Sequence, residues 1–567
     1  MVETYISVRE LVDKVLRKEL KLPEMQRKYI WPGTRVRDLL DSLYRKYPSG
    51  TILVWETDED IQERDLAIKS TKPPTTSQKW LLLDGQQRIT SLSAIISGEP
   101  VHVRKRKRPI EILFNLEHPE GPPVEVTEVD ENDGQESSEN LENGDSSERD
   151  IWEELKKKIF VVSSKTLKNN PLWIPVSDVF KKSESQILKS IGINSDDEKW
   201  DKYSARLQNL KKIADYTYGM QVLDKNKSYE EVTEIFVRVN SLGIKLRGSD
   251  LALAQITSKW KGFMDQIEEF AKEFKEDEDY ILESGLPVRT LVVFATQQSK
   301  FKTVGKIKKK KLEESWELAK NGLRFAVNFL RSNAGVDNLS NISSPFLLIP
   351  IAIYAMNNNE KLSGEDEKRL LRWFYLAHMR GHYGMGSSES ILDLDISIIF
   401  RGNSVDNLLN QLQTHVKKFE VGEKDIFEKG IRSPFFSMLY FVLKQNEAKD
   451  WWTGLSLSER HIGRAHSLQY HHIFPKSLLK KAGFEKKEVN EISNLAFIGG
   501  KTNRQIAKKE PKIYLKEIIE KRGKDTLASQ LISLEKEDWE INNYKKFLEF
   551  RRKRIAEEIN KFMRRFE

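Results

Sequence analysis

The stretch that most constrains the fold is Tyr470-His471-His472-Ile473-Phe474-Pro475, answered by Asn494-Leu495-Ala496-Phe497-Ile498 and then by Asn503. A histidine pair stands at the end of a short apolar strand. A second apolar strand follows, then a loop, then a helix start over Lys501-Thr502-Asn503-Arg504-Gln505-Ile506. Two short strands and the first turn of a helix must therefore meet, with polar side chains at the junction. Imidazole exchanges protons near neutral pH, and neutral imidazole with an amide oxygen can hold a divalent metal while leaving positions open. Adjacent histidines also arise by chance, or as one core and one surface residue. The two asparagines, nine positions apart, and the order of the elements separate the cases.

This arrangement resembles the HNH (ββα-metal) nuclease motif, and the form His-His-Ile-Phe-Pro…Asn-Leu…Asn is similar to its restriction-associated branch. The resemblance implies phosphodiester hydrolysis, which needs a base for water and a hard cation at the phosphoryl and leaving oxygens. It implies His472 as general base, with Asn494 grouped with it as the residue that braces the loop between strand and helix. It implies His471 and Asn503 as ligands of Mg²⁺ or Mn²⁺. Many relatives carry Asp where His471 stands.

With 567 residues the chain is too long for one core and is expected to form two to four domains. A hydrophobic content of 38% with twelve tryptophans excludes wholesale disorder. There is no run of eighteen apolar residues and no charged-then-apolar leader, so no membrane partner is expected and a cytoplasmic, prokaryotic setting fits. Zero cysteines exclude disulfides and thiolate zinc sites. A net charge of +8 permits a polyanionic partner without requiring one.

At the N-terminus Ser7-Val8-Arg9-Glu10 is a capping box, and Val8, Leu11, Val12, Val15 and Leu16 form one apolar helical face. Leu22-Pro23 to Trp31-Pro32, which contains Gln26 and Arg27, is expected to be a proline-bounded loop. Trp80-Leu81-Leu82-Leu83 reads as a buried strand that runs through Asp84-Gly85-Gln86-Gln87-Arg88 into a helix ending at Gly98. A strand, a tight turn and a helix N-terminus favour phosphate. Arg88 could reach such a phosphate, and Asp84 could hold a metal or orient water. An Asx turn capping an ordinary helix accounts for the same residues. No Walker lysine motif is present.

Gln26-Arg27…Trp31-Pro32, Asp84-Gly85-Gln86-Gln87-Arg88, and Phe236 to Gly243 with Leu246 occur in that order. Together they resemble the ParB/sulfiredoxin-like N-terminal domain of GmrSD-type modification-dependent restriction enzymes. That resemblance implies that this region binds or hydrolyses a nucleoside triphosphate. It implies a nucleotide site drawing on Gln26, Arg27, Asp84, Gly85, Gln86, Gln87, Arg88 and Asn240, with Asp250 beside it. Capping and turn duties explain Asn240 and Asp250 equally well. The same family joins this domain to a C-terminal HNH domain.

Elsewhere the signals are weaker. Arg104 to Arg108 reads as a solvated turn rather than a DNA grip. Residues 117–150 turn acidic and poor in large apolar residues, as a disordered or mobile insertion does. From Leu251 to Lys444 the pattern is repeatedly helical. The glycine-rich stretch Arg380 to Ser388 reads as a helix-to-helix connection, and His378, His382 and His415 as core or surface residues without ligand partners. Tyr544 to Phe566 is a basic, amphipathic helix able to cover a core, to follow phosphates, or both.

The chain is thus expected to be an α+β multidomain protein. Residues 1–255 would form the NTP-binding domain, 256–445 a helical middle region and 446–567 the nuclease domain. The expected activity is an NTP-regulated, metal-dependent cut of double-stranded, modified phage DNA. The alternative is a nucleotide-switched DNA-binding protein or NTPase with an idle HNH fold. A homo-oligomer is compatible with either.

Overall fold

A computed structural model describes residues 2–24, 31–58, 63–64, 66, 79–99, 101, 109–121, 155–163, 167, 170–242, 248–416, 418–461, 466–507 and 509–567. Gln26, Arg27, Arg104 to Arg108, Gly243, Leu246 and most of the acidic 117–150 segment lie outside these residues. The fold is α+β, in two compact units, Met1–Met264 and Asp265–Glu567.

The first unit is built on a six-stranded mixed sheet in the order β1-β9-β3-β5-β2-β4. These strands are β1 (Val2–Ser7), β2 (Leu20–Pro23), β3 (Ile52–Thr57), β4 (Glu63–Arg64), β5 (Lys79–Asp84) and β9 (Thr217–Leu223). The β3–β9 and β2–β5 pairs are parallel, and the others are antiparallel. The central strands are apolar on both faces because both are covered, as strand alternation requires. Ile52, Val54 and Leu82 pack with helices Val8–Leu16, Gly33–Tyr44 and Gln86–Ser97. Leu53, Trp55, Leu81 and Leu83 pack with Tyr229, Val232 and Phe236 of helix Tyr229–Leu242 on the opposite face. A smaller antiparallel sheet joins β6 (Ile112–Asn115) to β7 (Phe160–Val162) on one side and β8 (Trp173–Pro175) on the other.

Local signals hold where they were sharpest. The Ser7 hydroxyl accepts from the Glu10 amide while the Glu10 carboxylate accepts from the Ser7 amide, closing the box that starts the first helix. Leu22 and Pro23, expected to open a loop, belong to β2. Pro23 stands at that strand's end, as Pro175 does in β8, where a missing N–H costs little.

The second unit is mainly helical up to Gln445, with helices Lys309–Asn333, Leu348–Asn357 and Gly364–Met379 among those that bury Trp316 and Trp373. The glycine-rich stretch is a connection, and His382 is a buried core residue held by hydrogen bonding. Its Nε2–H donates to Asp395 Oδ2 at 2.9 Å, and the Tyr383 hydroxyl donates to the same oxygen at 2.7 Å, all three side chains being buried. Beyond it, β10 (Leu468–His472) and β11 (Leu495–Gly499) form an antiparallel pair with Tyr470 opposite Phe497 and His472 opposite Leu495. The second strand passes directly into helix Gly500–Ile506, without the loop expected there. Helix Tyr544–Met563 turns Tyr544, Phe547, Leu548, Arg551, Ile555 and Ile559 inward, so that face covers the core. Among the described residues no helix is long and apolar enough to cross a membrane.

Candidate active site

The ββα segment brings His471 and Asn503 into contact, sets His472 beside His471 in the chain and keeps Asn494 apart. His471 is buried and His472, the last residue of β10, is half-buried. Pleating sends Gln469 and His471 to one face of the strand. There Asn503, from the first turns of helix Gly500–Ile506, donates through Nδ2 to Gln469 Oε1 at 2.7 Å. That contact fixes the amide, so Asn503 Oδ1 faces His471 Nδ1 at 2.9 Å and accepts its N–H. The rings of Tyr514 and Trp451 stand edge-on to the imidazole at 5.7 and 6.2 Å between centroids. Burial among them drives the His471 pKa down to about 4, against the opposing pull of Asn503, so the ring is neutral at physiological pH.

Asn494 does not face the junction. It is fully buried, accepting at Oδ1 from the Phe474 amide at 2.9 Å and donating through Nδ2 to the carbonyls of Val489 and Phe474 at 2.9 and 3.2 Å. All of these partners are backbone. Asn494 is therefore a positioning residue that staples the chain after His472 to the segment entering β11.

A divalent cation suits the donors at the junction. His471 and Asn503 offer one imidazole nitrogen and one amide oxygen aimed at each other, a pair that can turn on a shared ion once the imidazole proton moves to Nε2. That nitrogen is buried and has no hydrogen-bond partner among the described residues, so the move would exchange the Nδ1–H···Oδ1 bond for the two bonds to the ion. Both donors are neutral, and among the described residues no cluster of three or more His, Asp or Glu side chains could hold a metal. Such a site leaves room and charge for phosphate oxygens.

Several supporting residues escaped the sequence. Asp450, immediately before the Trp451-Trp452 pair, accepts from the Gly499 amide at 2.6 Å and from the hydroxyls of Thr502 and Thr453 at 2.5 and 2.6 Å. It anchors the start of helix Gly500–Ile506. Burial alone would raise its pKa, but these donors outweigh burial and lower it. The Asp450–Thr453 spacing is an Asx-turn signal that could have identified the turn, though not its distant partners. The Tyr514 hydroxyl donates to the Ile473 carbonyl at 2.8 Å, fixing the chain just past the histidines.

In the first unit Asp84 ends β5 and Gly85 turns the chain at φ +97°, where a Cβ would lie 2.5 Å from Ile52 Cδ1. Gln86 is buried, and Gln87 Oε1 accepts from the Trp31 amide at 3.1 Å. Arg88 donates to the carbonyls of Ser49 and Thr51, each at 2.6 Å, with Asp84 Oδ2 at 3.4 Å. Its guanidinium thus clamps the entry of β3 to the helix. Asn240 lies in helix Tyr229–Leu242 and Asp250 in helix Gly248–Thr257. The Asn240 side chain, Gln26 and Arg27 lie outside the described residues. A cavity of about 540 Å³ opens elsewhere in this unit, beside Tyr44, Arg45, His118, Lys202 and Arg206, and the Asp84–Arg88 block does not line it.

Residues 8–257 match the family model described as GmrSD restriction endonuclease, N-terminal domain. The match takes in Asp84 to Arg88 and Asn240 and ends well before the ββα segment. Over these residues the first unit is therefore similar to a domain type named for a restriction endonuclease. An uncharacterized protein of Methanocaldococcus jannaschii is 24% identical, over 97% of this chain and 97% of its own. The similarity to that protein therefore runs through both units.

Proposed function

We propose that this chain is a restriction-type DNA endonuclease that cuts at the ββα segment with a divalent cation and is regulated by a nucleoside triphosphate. One observation carries the reading: His471 Nδ1 and Asn503 Oδ1 meet at 2.9 Å on a strand–strand–helix frame, with His472 next in the chain. His472 takes a proton from water as the water oxygen bonds to phosphorus. The bond from phosphorus to the leaving sugar oxygen breaks, and that oxygen is protonated from solvent. His471 and Asn503 would hold Mg²⁺ or Mn²⁺, which when bound would supply charge neutralisation at the phosphodiester.

The match over residues 8–257 supports a restriction-type role in defence, and the substrate in this reading is modified phage DNA in the prokaryotic cytoplasm. The nucleotide site is assigned by resemblance to Gln26, Arg27, Asp84 to Arg88 and Asn240, where Gly85 leads into the N-terminus of a 12-residue helix.

The test is a cleavage assay with Mg²⁺ or Mn²⁺, with and without each NTP, on unmodified, base-modified and phosphorothioated DNA. Wild-type protein should cut a modified substrate, and His472→Ala should not, while DNA binding and NTP turnover persist. Equal cutting by His472→Ala would remove His472 as general base. NTP hydrolysis with no DNA cut would favour a nucleotide-switched regulator whose HNH fold is idle.

A further inference from the structure

A side chain outside the motif meets His472. His472 Nε2 lies 3.2 Å from Asn490 Oδ1, whereas Asn494 bonds to the backbone of Phe474 and Val489. The orientation of the Asn490 amide is set by its other end, since Nδ2 donates to the Lys486 carbonyl at 2.9 Å. The oxygen therefore faces the imidazole. An amide oxygen only accepts, so Nε2 carries the ring proton and, in the neutral ring, Nδ1 carries the lone pair.

Asn490 is itself held from several directions. Its amide closes the one-turn helix Lys486–Val489 by donating to the Lys486 carbonyl at 3.1 Å. Next to it, the fully buried Glu491 carboxylate accepts two bonds from Arg552, at 2.7 and 2.9 Å. The Tyr544 hydroxyl donates to the Glu488 carbonyl at 2.8 Å. The C-terminal helix thus fixes the turn, and the turn fixes Asn490. Helix capping explains the bond to Lys486 but not an oxygen directed at His472.

We infer that Asn490 is a positioning residue for His472, holding its imidazole as the Nε2–H tautomer and so leaving Nδ1 as the nitrogen that takes the proton from water. The catalytic consequence rests on the nuclease reading above, while the hydrogen bond does not.

The experiment combines nitrogen-15 spectra of histidine-labelled full-length protein with cleavage kinetics. His472 signals are assigned by their loss in His472→Ala, and wild type is compared with Asn490→Ala and Asn490→Asp. Wild type should show a protonated Nε2 and an unprotonated Nδ1. Asn490→Ala should mix the tautomers and lower kcat roughly ten- to a hundredfold with KM little changed. Asn490→Asp, which keeps an acceptor, should restore the tautomer and most of kcat. An Nδ1–H tautomer in wild type overturns the inference even if a variant fails to fold. An unchanged spectrum and kcat in Asn490→Ala overturn it as well. An Nε2–H wild type that cuts no DNA upholds the hydrogen bond and overturns the nuclease reading.

Discussion

Arg551 Nη1 donates to the Leu495 carbonyl at 2.6 Å from a side chain with no solvent exposure. The same guanidinium bonds the carbonyls of Ser493 and Gln530 at 2.9 and 3.2 Å, so the last helix grips the backbone at the start of β11. Burial lowers the Arg551 pKa to about 9, which still leaves it charged at neutral pH. Removing the donor strands buried carbonyls. Arg551→Met should therefore cost about 3 kcal/mol, measured by denaturant unfolding, and activity should fall with it. An unchanged midpoint would show that this basic helix is not what holds the strand.

Asp450 predicts an acid limit on stability. Its folded pKa lies below the unfolded value of 3.8, so its contribution is complete above 3.8 and is lost as pH falls through the lower folded value. Asn in its place turns one acceptor into a donor facing the Gly499 amide or the Thr502 hydroxyl. Asp450→Asn should destabilise at pH 7 by about 3 kcal/mol. The gap in melting temperature between wild type and variant should narrow as pH drops below 3.8. A gap that stays constant with pH would mean that Asp450 is not ionised in the folded protein.

The parts legible in the sequence are those whose partners are close in the chain. Ser7 and Glu10 are three residues apart, and the capping box follows from that alone. The two strands and helix of the candidate site follow from a motif that packs its own spacing. Asp450 was invisible because its partner Gly499 lies 49 residues on, and Arg551 because Leu495 lies 56 residues back. Asn490 looks like any residue ending a short helix until His472, 18 positions earlier, is placed beside it. β1 has little apolar alternation to announce it, since it is a sheet edge with Tyr5 79% exposed. Residue types showed what chemistry could occur, and long-range contacts decided which side chains support it.

Arg88 can be separated from a purely nucleotide-binding role without adding nucleotide. Two bonds to the Ser49 and Thr51 carbonyls are present in the free protein, beneath Gly50 at φ +91°, where a Cβ would lie 2.5 Å from Nη1. Arg88→Ala should lower the stability of the nucleotide-free protein by about 2 kcal/mol, and Gly50→Ala should act in the same direction. Thermal melts read both. A melting temperature untouched by Arg88→Ala would instead reserve the guanidinium for a ligand.

The proposed metal pair, His471 and Asn503, is neutral, so any affinity it has for a cation should be adjustable in one direction. An imidazole and an amide bring no charge to the cation, so binding by the free protein should be weak and should strengthen when DNA phosphates complete the shell. Asn503→Asp puts one negative charge where Oδ1 now stands, 2.9 Å from His471 Nδ1. Mn²⁺ binding to the DNA-free protein, followed by electron paramagnetic resonance, should tighten about tenfold. Asn503→Ala should weaken it below wild type. The carboxylate would also repel the phosphodiester, so DNA binding should weaken as metal binding improves. Equal Mn²⁺ affinity in all three proteins would place the cation elsewhere and leave the contact between His471 and Asn503 as a packing hydrogen bond.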